Sequence, residues 1–143
     1  MSAIFLLPMG EAERGLTEML LQPIQNVFQV ETAVMNTAVN MRSFYDEQRN
    51  QYNSTSMLQF AKENLTNSYL RSVRRHHTKA YLLVTGEDLF IPILTYVFGE
   101  AELNGDVAVV SHHRLQNERY GLPPNPALLN ERLRKEAIHE LGH

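Results

Sequence analysis

With 143 residues, of which 43% are hydrophobic and 20% charged, the chain has the make-up of a globular protein large enough for one ordinary domain with a buried core. A formal net charge of -3 gives no global field to recommend nucleic acid or an anionic membrane, and neither is expected as a partner. Cysteine is absent, which excludes disulfides, thiolate zinc ligands and cysteine nucleophiles.

The start, MSAIFLLP, has no basic leader or cleavage site and is far too short to span a bilayer, so a cytoplasmic location is expected. Ala3 to Leu7 reads as a strand. Glu11 to Leu21, with Leu16, Met19 and Leu20 at helical spacing, reads as a helix ending before Pro23. Val27 to Val34 alternates and is expected to be a strand with one wetter side. The polar stretch Asn36 to Asn53 reads as a hairpin or long loop.

Thr55 to Arg75 places Leu58, Ala61, Leu65, Tyr69 and Val73 three or four residues apart, the pattern of a long amphipathic helix. Lys79 to Thr85 reads as a buried strand. Asn104-Gly105 suits a tight turn, with Val107 to Ser111 as the second strand of a hairpin. Asn125 and Pro126 supply a cap and a first helical residue for the terminal helix. Strands alternating with helices imply an α/β fold: a twisted mixed, largely parallel sheet with helices packed on it.

The terminal helix ends in HELGH, an HExxH pentad. Residues four apart lie one turn above each other, so His139 and His143 face the same way and both rings can hold one ion. Leu129, Leu133, Ala137 and Leu141 form the neighbouring apolar stripe, with Glu140 at its boundary. Zn²⁺ on neutral imidazoles acidifies water and polarises a carbonyl, and a carboxylate beside it takes the proton. With six histidines and thirteen glutamates in the chain, chance alone yields about 0.02 such pentads. The duller reading is an exposed helix end whose histidines answer the helix dipole.

From Lys79 onward the chain, in VTGEDLFIPILTYVFGEAELNGDVAVVSHHRL and ERYGLPPNPALLNERLRKEAIHELGH, resembles the archaemetzincins, metzincin-like zinc metallopeptidases of archaea and vertebrates. The resemblance implies hydrolysis of peptide or protein substrates, with His139 and His143 as two ligands of a catalytic zinc and Glu140 as general base. The family pattern continues through xxGxxH to cysteines for a second, structural zinc and to a methionine turn, all of which would lie beyond His143. Residues 1–143 therefore read as a metzincin-like upper subdomain cut after its active-site helix, lacking the third histidine and unable to turn over peptide alone. The second zinc is expected only in a longer chain.

Other features carry two readings. His112 and His113 follow a strand; they serve surface or structural roles, or one lines a cleft where a sheet edge takes a peptide by strand addition. RSVRRHHTK, Arg71 to Lys79, is a basic helix end or an acid-binding patch. Gly86-Glu87-Asp88 is a turn or a pair of acids for a metal. A non-catalytic α/β binding module that uses the basic patch is the alternative function.

Overall fold

The computed structural model describes residues 3–36, 39–65, 79–102 and 106–143. In chain order these form β1 (Ala3–Pro8), α1 (Arg14–Phe28), β2 (Glu31–Val34), β3 (Tyr45–Asp46), β4 (Gln51–Asn53), α2 (Ser54–Asn64), β5 (Lys79–Thr85), β6 (Leu89–Phe90), β7 (Gly99–Ala101), β8 (Val107–Ser111) and α3 (Pro126–Leu141). Five strands make one sheet in the order β2-β1-β5-β8-β7. The first four are parallel, and β7 runs antiparallel to β8. The expected α/β class therefore holds, and Val107–Ser111 shares a sheet with the three earlier strands.

Burial on both faces explains why the central strands are apolar without interruption. Successive side chains of a strand point to opposite faces. Ile4, Leu6, Leu82, Val84, Ala108 and Val110 meet Leu20 and Ile24 of α1 and Leu133 and Ala137 of α3. On the other face Leu7, Leu83 and Val109 meet Met57, Leu58 and Ala61 of α2. Each fully buried aliphatic side chain such as Leu133 contributes roughly 1.5–3 kcal/mol. The outcome is a helix–sheet–helix sandwich with α1 and α3 on the same side. A small second sheet, β3-β4-β6, lies beside it.

The structure corrects several boundaries. Helix α1 runs through Pro23 to Phe28 instead of stopping at Leu21, and residues 11–13 form a 3-10 turn ahead of it. The proline removes one hydrogen bond, the one its missing N–H would make to the Met19 carbonyl. Leu20, Ile24 and Phe28, one turn apart, continue the buried stripe and outweigh that loss. Val27 and Phe28 consequently belong to the helix, Gln29 caps it at φ 57°, and the strand shortens to Glu31–Val34. The polar stretch before α2 is a hairpin, with Tyr45 opposite Tyr52. Of the expected helix Thr55 to Arg75, the structure shows a helix over Ser54–Asn64, starting one residue earlier, and residues 66–78 lie outside the described residues. The Asn104-Gly105 turn also lies outside them, but the strands on either side pair antiparallel, Ala101 opposite Ala108. No helix among the described residues is long and apolar enough to cross a membrane.

Candidate metal centre

Helix α3 starts where the Asn125 side chain accepts the Leu128 N–H at 3.1 Å and Pro126 occupies the first turn, where its missing donor costs nothing. Leu133 and Ala137 seat the helix on the sheet. The Arg132 guanidinium fixes its flank by donating to the Leu115 carbonyl at 2.8 Å and to Asn117 Oδ1 at 2.9 Å. Continuing the stripe from Leu133 and Ala137 leads to Glu140, which is buried, while His139 and His143 are exposed on the adjoining face. The glutamate thus sits inside the protein, deeper than the boundary position expected from spacing.

The two imidazole Nε2 atoms lie 3.3 Å apart, with the rings perpendicular. One ligand atom from each of His139, Glu140 and His143 can be chosen such that all lie within 4.8 Å of one another. Two nitrogens at about 2.0–2.1 Å from a tetrahedral ion are separated by about 3.3–3.4 Å, so this pair is spaced for zinc. The helix C-terminus, with its unpaired carbonyls, also favours a cation there. Donor chemistry and spacing both fit.

Burial pushes the Glu140 carboxyl up to about 8, helped by a hydrogen bond to Glu136 one turn earlier and by the negative charges of Glu136 and Glu100. Neither Glu136 nor Glu100 stands out in the sequence. Glu136 carries a signal in its spacing, four residues before Glu140, whereas Glu100 reaches the site only through the sheet.

The sequence profile of peptidase family M54 matches residues 17–143. The chain belongs to peptidase family M54. Archaemetzincins are its relatives: that of Methanocaldococcus jannaschii is 55% identical over 60 residues, covering 42% of this chain and 34% of the relative. That of Pyrococcus furiosus is 42% identical over 100 residues (69% and 47%), and that of Archaeoglobus fulgidus 33% over 126 residues (88% and 66%). The chain thus spans a third to two thirds of the length of these relatives. Among solved structures, a zinc-dependent peptidase from Methanocorpusculum labreanum superposes with a TM-score of 0.77 at 28% identity, covering 98% of this chain and 79% of that one. The Archaeoglobus fulgidus archaemetzincin, solved with malonate, gives 0.76 at 32% identity, covering 99% and 76%.

The remaining candidates of this M54 chain stand apart from HELGH. The His112 amide donates to the Thr85 carbonyl at one end of β5, whereas His143 lines a small depression with Ala80 at the other. Five residues of strand separate those levels, about 16 Å. The His112 ring is buried between the Glu13 carboxylate, at 2.9 Å, and the Gln116 side chain, at 2.8 Å. The His113 ring contacts the Gly86 carbonyl at 3.1 Å and Arg119 at 3.2 Å. Asp88 accepts two hydrogen bonds from Arg114, at 2.7 and 2.8 Å, and one from Gln51. Burial alone would raise its pKa, but these donors more than offset that and hold it below the usual value. Of the basic stretch Arg71 to Lys79, all but Lys79 lies outside the described residues.

Proposed function

We propose that this chain carries the metal-binding helix and substrate-facing sheet of a zinc-dependent metallopeptidase. The observation that carries the reading is the last turn of α3, where two imidazole nitrogens 3.3 Å apart flank a buried carboxyl group. His139 and His143 would hold the ion as neutral imidazoles. When bound, zinc supplies Lewis acidity, polarising the scissile carbonyl and acidifying water.

Everything else falls to side chains. Glu140 accepts a proton from the attacking water as its oxygen bonds to the carbonyl carbon. It then delivers that proton to the amide nitrogen as the C–N bond breaks, releasing an acid and an amine. Shielding from water suits the shuttle, because a carboxyl of raised pKa is a stronger base than a solvated one. The outer edge of β7, last in the five-stranded sheet, has no further strand beside it among the described residues and could take an extended peptide by strand addition, so the substrate class is peptide or protein.

Glu140→Ala in the peptide-cleaving protein tests this directly. Zinc content should stay at the native level, because both imidazoles remain, while peptide hydrolysis falls roughly 10²–10⁴-fold. Metal analysis and a cleavage assay on the same preparation read both quantities, and undiminished hydrolysis would sink the mechanism.

A further inference from the structure

Gly99 lies in β7 with a negative φ, so its backbone conformation does not call for glycine. Space does. A methyl group added there would stand 2.6 Å from the Val109 carbonyl oxygen and 3.0 Å from both Cγ and Oε2 of Glu140. The first contact reflects how closely β7 lies against β8. The second reflects how closely the glutamate lies against β7.

The strand is also pinned from behind. Its next residue, Glu100, points to the opposite face, where its carboxylate accepts the Ser54 hydroxyl at 2.5 Å and the Thr55 hydroxyl at 3.0 Å, at the start of α2. One residue beyond the strand, Glu102 pairs with Lys62 of α2 at 3.1 Å. A strand held this way cannot retreat from α3, so a side chain at position 99 would have to move Glu140.

We propose that Gly99 is a positioning residue whose bare Cα forms the wall against which the Glu140 carboxyl group is seated and aimed. This rests on the reading of Glu140 as the base. The glycine has no side chain to offer as a ligand, so its effect separates from metal binding.

Two measurements on Gly99→Ala test it. The first is the unfolding midpoint of the metal-free protein, compared in the native and Glu140→Ala backgrounds. The alanine should cost more in the native background, since only the Val109 contact persists once the glutamate is gone. Equal costs would assign Gly99 to strand packing alone and overturn the proposal. Should Gly99→Ala fail to fold singly, folding of the double variant supports the contact and failure of both refutes it. The second is steady-state cleavage. A displaced base should lower kcat by on the order of 100-fold, with KM and zinc content unchanged. Native kcat in the variant overturns the proposal. Cleavage is read in a chain of the length of its archaemetzincin relatives; if that protein cleaves no peptide, the role of Glu140 as base fails, and the unfolding comparison still decides whether Gly99 seats it.

Discussion

Glu140 holds its proton to about 8 because it is sealed between the apolar stripe of α3 and strand β7 with a second carboxyl one turn away. In the unfolded chain the same group ionises near 4.5. The metal-free native state therefore binds this proton more tightly than the unfolded state. The stability that follows is complete below pH about 4.5 and is lost as the pH rises through about 8. Urea midpoints at pH about 5 and about 9 should show this loss in the native protein and a flatter profile in Glu140→Gln, which keeps the shape but not the charge. Equal slopes in the two proteins would place the responsible proton elsewhere. A dication on the neighbouring imidazoles acts in the opposite sense and favours the carboxylate, the form that proton abstraction needs.

Among the elements, α3 was the most legible in the sequence. Its cap, its apolar stripe and its histidine face all follow from a 3.6-residue period that one stretch of chain contains entire. The buried strands were legible for the same reason. Helix α1 was not: Pro23 is a local stop signal, and the packing that overrides it comes in large part from Leu133 and Ala137 of α3, far away in sequence. Gly99 was illegible too, because the proximity of β7 to α3 is a tertiary distance with no trace in the residues around it. The α1 case can be tested. Pro23→Ala restores an N–H for the Met19 carbonyl within an intact helix, and should raise stability by about 1–2 kcal/mol in chemical denaturation. A loss of stability would mean that the proline ring itself packs better than the hydrogen bond it displaces.

Among the described residues, the metal centre at the end of α3 offers two imidazoles to zinc where a catalytic site takes three protein ligands. The rings of His112 and His113 are engaged near the other end of the sheet. Residues 1–143 alone should therefore bind zinc weakly in calorimetric titration, and a chain of the length of its archaemetzincin relatives should bind it tightly. Equal, tight, one-to-one binding by both would place a third ligand inside this chain.

The strand order also bears on how such a protein emerges from the ribosome. β1 lies mid-sheet, yet Lys79, the partner of Ala3 in β5, follows it by 76 positions, and β8 comes later still. Until β5 has been made, the growing chain presents β1 with a bare backbone edge and uncovered Leu82-facing and Leu83-facing surface, a template for any stray strand. Parallel neighbours so distant along the chain also make for slow assembly, since a long loop must close before any pairing is gained. The arrangement that shelters Glu140 in the finished protein is thus the one that leaves its first strand longest in need of a chaperone.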